Sequence, residues 1–237
     1  MTNLARNVSQ RRFSGEPVPV EDAIVERIYD AVMEQCLPPG TKLPEAALCE
    51  AFGVRRARIR RSLLLLAARN IVELQANRGA FVAQPSAEEA RAVFEARRSV
   101  ERAVARLAAE RGGPEDLLRL QAHVRAEERA HGEHDRRRLI RLSGEFHVLL
   151  AQAAANRVLL GIVKELVART SLIIGMYGAA VKNCRTSEHD EILSVLRDGD
   201  ADAAANMISD HLLGIESQLD VGRRRTSRID FVKLFSR

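Results

Sequence analysis

From residue 87 to residue 220 the sequence keeps a helical spacing of apolar residues almost without a break, and that repetition leaves few folds open. Segments near 87–111, 115–131, 135–154, 157–177, 186–198 and 201–220 each place apolar side chains three and four positions apart, which gathers them on one helix face. Only the short polar stretches GGPED, HGEHD, AN, KNCRTS and DGD interrupt the pattern. Long helices on short connections fold back on one another, so the sequence predicts an antiparallel six-helix bundle over 87–220. A hydrophobic content of 46% supplies its core. The most apolar region, 158–181, is broken by Lys164, Glu165 and Arg169, which argues against a membrane span.

The first third of the chain reads differently. Residues 1–19 are polar, contain Gly15, Pro17 and Pro19, and show no period; they read as a flexible arm without the apolar core of a secretory signal. From Val20, apolar residues at 24, 25, 28, 31 and 32 predict a helix that LPPGTKLP stops. A second helix is expected over roughly 45–52, ended by Gly53, and a third runs to about Arg69. IVELQ and AFVAQ then flank ANRG, a two-stranded hairpin with Gly79 at its turn. Cys36, Cys49 and Cys184 are odd in number and show no disulfide-like spacing, which suits a reducing cytoplasm.

The third helix opens with VRRARIRRSL, five arginines within residues 55–61. Net charge over the whole chain is only +5, yet between residues 54 and 78 seven arginines stand against the single acid Glu73. Such a run is a solvated face, a membrane anchor or a surface that meets phosphates. The apolar face is too short and too enclosed by other elements for an anchor. Three helices and a hairpin with a basic third helix make a winged helix-turn-helix over 20–84, in which Ile59, Leu63 and Leu66 pack inward. Arg55, Arg56, Arg58, Arg60 and Arg61 are then left for DNA, with Arg78 and Gly79 at the hairpin tip, or form the solvated face that an arginine run on a helix usually is.

The stretch from LPPGTKLPEAAL to NRGAFV resembles the DNA-binding domain of GntR-family bacterial transcription regulators, through Pro39-Gly40, Leu43, Leu48, Gly53-Val54, Arg56, Arg60, Leu63, Leu66 and residues 77–82. The sequence departs from the family pattern at four places. Arg55 stands where that family has Ser or Thr, Ala57 for Thr, Arg58 for Pro and Arg61 for Glu. Losing a Ser or Thr cap costs a helix about 1 kcal/mol, and cations near a helix N-terminus oppose its dipole, so these changes add phosphate-facing charge at the expense of stability. They predict an operator unlike the common family site and steep salt dependence.

Six histidines divide into two sets. His123, His131 and His134 lie among charges and are expected to face water. His147, His189 and His211 share helix faces with apolar residues, on three different helices, and point inward. Each alone is a hydrogen-bonded core residue; together they suit a shared transition metal (Zn, Ni, Co or Fe) better than Ca or Mg. VFEARRSVERAVARLAAERGGPEDLLRL, LSGEFHVLLAQAAANRVL and SEHDEILSVLRDGDADAAANMISDHL resemble the FCD ligand-binding domain of the FadR-type GntR subfamily. The resemblance implies metal ligation by His147, His189 and His211, with a small carboxylate effector nearby. Ser143 stands at the position of the family's aspartate, and a hydroxyl is a poorer ligand. The site then either keeps its metal on three histidines plus water or effector oxygens, or is a metal-free polar pocket. Arg97 matches the family's effector-pairing arginine and equally suits a pair with Glu101; Asn156 matches a family asparagine for which helix capping is the simpler role.

The expected protein is a mainly α, cytoplasmic, homodimeric repressor: arm 1–19, DNA-binding domain 20–84, effector-binding and dimerisation domain 87–220, and basic tail 221–237, loose or docked late. Its partners are double-stranded operator DNA and a small organic acid. Two alternatives remain: a regulator for which the ion itself is the signal, and a three-histidine metal-dependent hydrolase. The hydrolase needs a general base, and no further carboxylate is read onto the inward faces.

Overall fold

The computed structural model describes residues 20–178, 186–220 and 231–235, which form ten helices and three short strands. The arm 1–19, Cys184 and the arginine-rich stretch 221–230 lie outside the described residues. Cys36 and Cys49 are free thiols.

Helix α1 (Val20–Met33) buries Ile24, Val25, Ile28, Ala31 and Val32, the positions its spacing singles out. Helix α2 (Glu45–Phe52) stops at Gly53, and α3 (Arg56–Ala68) crosses α1 with Ile59, Leu63 and Leu66 no more than 2% exposed. Strands β2 (Val72–Gln75) and β3 (Gly79–Val82) pair antiparallel, Val72 opposite Val82 and Gln75 opposite Gly79. Gly79 has φ +97°, which a residue with a β-carbon rarely adopts, so the turn needs its glycine. The sheet has three strands where the sequence predicts two. Strand β1 (Lys42–Leu43) pairs with the other edge of β3, giving the order β1-β3-β2. A strand of two residues, set in the short stretch between Gly40 and Pro44, is too brief to display a two-residue period.

The bundle follows as α4 (Ala87–Arg111), α5 (Pro114–Gly132), α6 (Arg136–Ala153), α7 (Arg157–Tyr177), α8 (Thr186–Asp198) and α9 (Ala201–Ser217). Local chemistry fixes several starts. Ser86 Oγ accepts the Glu89 amide, Asp135 that of Arg138, and Asp200 that of Ala203, each satisfying an otherwise orphan N–H. Helix α4 packs along α9 and also touches α6, α7 and α8, so it runs through the middle of the bundle.

The two parts share a core. Helix α1 packs against α6 and α7. A β-carbon at Gly144 of α6 would lie 2.9 Å from Val167 Cγ1 and 3.2 Å from Met33 Cε, so the missing side chain is what lets α1 approach. Beside it, Arg141 reaches Glu34, the residue after α1, at 3.3 Å and Glu145 at 2.6 Å. The tail also returns to the DNA-binding part. Helix α10 (Phe231–Phe235) sits on α2, with Phe235 4.8 Å from the Phe52 ring and its carbonyl accepting from Arg27 Nη2 at 2.7 Å. Of the two expectations for the tail, these five residues follow the docked one. Burying a phenylalanine side chain is worth about 1.5–3 kcal/mol, and Phe235 is 3% exposed.

Candidate functional site

Two surfaces carry the chemistry. The first is the outer face of α3. Arg55 occupies the N-cap position without a side-chain cap, as its lost hydroxyl implies, and the first turn holds no acid. Arg55, Arg56, Arg58, Arg60, Arg61, Arg78 and Gly79 are all exposed. Arg56 and Arg60, one turn apart, do not simply extend into water. Arg60 Nε donates to both oxygens of Glu45 at 2.9 and 3.1 Å, and Arg56 Nε lies 3.3 Å from the same carboxylate. Both arginine side chains remain 62% exposed, so Glu45 steers the pair without covering it. Arg58 stands 4.0 Å from Glu21, and the Arg78 guanidinium lies over the Phe81 ring at 5.4 Å. Between α3 and the hairpin runs a groove of about 280 Å³, lined by Glu45, Arg60, Leu64, Leu74, Gln75 and Gly79 among others.

The second is a polar centre inside the bundle. His147 of α6, His189 of α8 and His211 of α9 are each at most 4% exposed, and their candidate ligand atoms lie within 4.8 Å of one another. Each ring is turned by a carboxylate. His147 Nδ1 meets Glu101 Oε2 at 2.5 Å, His189 Nδ1 meets Glu127 Oε2 at 2.7 Å, and His211 Nδ1 meets Glu188 Oε2 at 2.7 Å. A carboxylate only accepts, so all three rings donate Nδ1–H and carry their lone pairs on Nε2. Those Nε2 atoms face one another: His189 and His211 are 3.1 Å apart, and His147 Nε2 has no partner. Phe146 stacks on His189 with ring centres 4.0 Å apart and forms an apolar wall.

The charge states agree with this. Burial pushes His147 down to about 3 despite the pull of Glu101, and burial also lowers His211, so both rings are neutral at pH 7. Burial alone would raise Glu101 and Glu127. Arg97 and His147 override it for Glu101, and His189 and His123 for Glu127, holding each carboxyl at about 2. Arg97 is itself 2% exposed. Its Nε donates to Glu101 Oε1 at 2.6 Å, while its Nη2 is buried without a partner.

These residues fit a metal. Two imidazole nitrogens bound side by side to a zinc-sized ion stand about 3.0–3.4 Å apart for bonds of about 2.0–2.1 Å, and the 3.1 Å separation of His189 and His211 matches. Carboxylates on the far ring nitrogens are the usual outer support of metal-binding histidines. Ser143, one turn before His147, is 9% exposed and borders the same face.

The structure brings the three expected histidines together and pairs Arg97 with Glu101. It does not tie Asn156 to them: the Asn156 oxygen accepts the Val158 and Leu159 amides and caps α7. Two expectations are corrected. Carboxylates do face inward, since Glu101 and Glu127 are at most 1% exposed. His123 does not face water; its side chain is 11% exposed, with Nε2 2.7 Å from the Leu142 carbonyl and 3.4 Å from Glu127. A signal existed for Glu101. It sits on the stripe 94, 97, 101, 104, 108, where Arg97 and Glu101 are the charged members among apolar ones. Glu188 offered none, because a residue adjacent to an inward histidine points elsewhere on its own helix and reaches His211 only across α8 and α9.

Comparison with known proteins covers both parts of the chain. Residues 20–82 match the family described as bacterial regulatory proteins, gntR family, and residues 92–214 match the FCD domain. The HTH-type transcriptional repressor RspR of Escherichia coli K12 is 25% identical over 211 residues, 88% of this chain and 92% of that protein. The galactonate operon transcriptional repressor of the same organism is 29% identical over 206 residues, 77% of this chain and 89% of that protein. The solved structure of E. coli McbR/YncC superposes with a TM-score of 0.76 at 18% identity, covering 85% of this chain and 99% of that one, a likeness of fold. A winged helix-turn-helix joined to an FCD bundle, in a lineage of regulators and not enzymes, settles the assignment: the chain belongs to the GntR family of DNA-binding transcription regulators, in its FCD-containing branch.

Proposed function

We propose that this regulator is a homodimeric repressor whose hold on operator DNA is set by a small carboxylate bound at the polar centre of the bundle. The observation that carries the reading is the set of buried, unsatisfied atoms there: His147 Nε2 and Arg97 Nη2 have no partner, and each electrostatically touches the same cluster. Buried polar atoms without partners are costly, so such a set argues for a ligand. His147, His189 and His211 would hold a divalent transition metal through Nε2, and the ion would supply positive charge and open positions that accept carboxylate oxygens. Arg97 offers a donor to the same anion, and Ser143 leaves room where a fourth protein carboxylate would have repelled it.

Helix α6 links this centre to DNA. Ser143 lies one turn before His147 on the same face, while Gly144 and Arg141 of the same helix meet Met33 at the end of α1 and Glu34 just beyond it. A ligand that shifts α6 moves the DNA-binding part with it, and couplings of about 1–3 kcal/mol are typical. At the other end, Arg56 and Arg60 read base edges, Arg55, Arg58 and Arg61 meet phosphates, and Arg78 with Gly79 enters the neighbouring groove. Two copies reading two half-sites set the spacing.

The test begins with an operator selected by the full-length protein from a random duplex pool. Binding is then measured after chelation, after adding zinc or nickel, and with a panel of organic acids. Metal-dependent release by at least one acid supports the proposal, whereas occupancy that follows the metal alone makes the ion the signal. Occupancy indifferent to all of them removes the regulatory reading. On the same operator, Arg61→Ala is expected to weaken binding evenly across sequences and to lower the magnitude of the log–log salt slope by about one; an unchanged slope places Arg61 off the phosphates.

A further inference from the structure

Glu45 stands at the start of α2, not on the recognition helix, yet it is the group on which two of that helix's arginines converge. Its contacts with them run through Nε, 2.9 and 3.1 Å from Arg60 and 3.3 Å from Arg56. A guanidinium has five N–H donors, one on Nε and four on the two terminal nitrogens. Held by the inner edge, each arginine keeps its terminal fork, the part that meets O6 and N7 of a guanine. Both side chains are 62% exposed, and Arg60 gives its Nε to the carboxylate.

We propose that Glu45 is a specificity-determining positioning residue for operator reading: it grips Arg56 and Arg60 together and presents their forks as a fixed pair one helical turn apart. This rests on the reading of α3 as the base-facing helix. The physical need is clear from the composition of that helix. Five arginines lie within residues 55–61, each with a long flexible stem, and the nearest strong anions in a DNA complex are phosphates. Unrestrained, all five drift to the backbone and bind any duplex. A carboxylate beside two of them raises the cost of that drift in two ways, by occupying the inner edge and by repelling phosphate from it. The same charge lowers overall affinity for DNA, so Glu45 trades attraction for discrimination. Its place in the wall of the groove between α3 and the hairpin, beside Arg60, Gln75 and Gly79, sets it where bases and not only backbone would pass.

The test uses the full-length protein and four variants: Glu45→Gln, Glu45→Asp, Arg60→Ala, and Glu50→Gln as a control that removes one exposed charge from the same helix. Each is given the operator selected by the wild type and an unrelated duplex of equal length, with circular dichroism confirming an unchanged fold. Glu45→Gln is expected to bind the unrelated duplex as tightly as Glu50→Gln or tighter, while its ratio of specific to unrelated affinity drops about tenfold. A new round of selection with Glu45→Gln should return a motif degraded at the base pairs that Arg56 and Arg60 read, and Glu45→Asp should restore part of it. Equal ratios for Glu45→Gln and Glu50→Gln, with Arg60→Ala still losing specificity, overturn the role of Glu45 and leave the helix reading intact. If Arg60→Ala also keeps its ratio, the helix reading itself fails.

Discussion

Replacing Glu101 with Gln is expected to cost about 3–5 kcal/mol of stability, the usual penalty for stripping one partner from a buried ion pair. Glu101 is fully buried and accepts from Arg97 Nε and His147 Nδ1 at once. Glutamine fills the same space but has one acceptor oxygen for two donors and no charge to offset a guanidinium that is 2% exposed. Among the described residues Glu101 is the one carboxylate in salt-bridge range of Arg97, whose Nη2 is already without a partner. Urea unfolding followed by far-ultraviolet circular dichroism measures the loss. Substituting Arg97→Met in the Glu101→Gln background should recover part of it, because the charge left stranded is then gone. A Glu101→Gln midpoint within error of the wild type would mean that α4 is not held to α6 through this carboxylate. The same substitution at exposed Glu50 should leave stability unchanged.

Which parts of this architecture were legible in the sequence follows from how local each pattern is. The buried face of α3 was readable because Ile59, Leu63 and Leu66 repeat within one helix, and the exposure of its arginines followed from the same period. Gly79 was readable as a turn residue, since its backbone conformation is a property of that position alone. His147, His189 and His211 were placed inward one helix at a time, and their convergence needed only the bundle. Their supports were harder. Glu127 stands in the run AEERA beside exposed Glu128 and looks like surface charge; only its place three positions after buried Val124 sets it apart. His123 was misread for the same reason: charged neighbours in sequence are not neighbours in space once α5 lies on α6. The steering of Arg56 and Arg60 by Glu45 spans 11 and 15 positions, between two helices with no shared period. The docking of α10 on α2 is more distant still, two phenylalanines in a basic stretch meeting a helix about 180 residues earlier.

Acid should unfold the chelator-treated protein well above the pH at which an ordinary bundle fails, and the sign follows from groups at the polar centre. His147 falls from its ordinary 6.5 to about 3 on folding. Between those values the unfolded chain binds a proton that the folded one refuses, so stability drops as pH falls through 6.5 and keeps dropping toward 3. Glu101 and Glu127 fall from 4.5 to about 2. A depressed carboxyl contributes stability that is complete above 4.5 and is lost as pH falls toward 2, the same direction in an adjoining window. Near pH 4 the windows overlap, and the unfolded chain holds about two more protons than the folded one, a slope of roughly 3 kcal/mol per pH unit. Asp30, which burial raises to about 6, gains stability as pH falls and offsets much of the His147 loss above pH 5; marginal proteins have only about 5–15 kcal/mol to lose, so the urea midpoint should change little down to about pH 5 and collapse between 5 and 4. Counting protons taken up on unfolding, from the pH dependence of that midpoint, checks the mechanism directly. A midpoint that holds steady from pH 7 down to 4 would show that these rings and carboxylates titrate alike in the folded and unfolded chain, and the polar centre would then lack the burial on which its affinity for a metal and an anion depends.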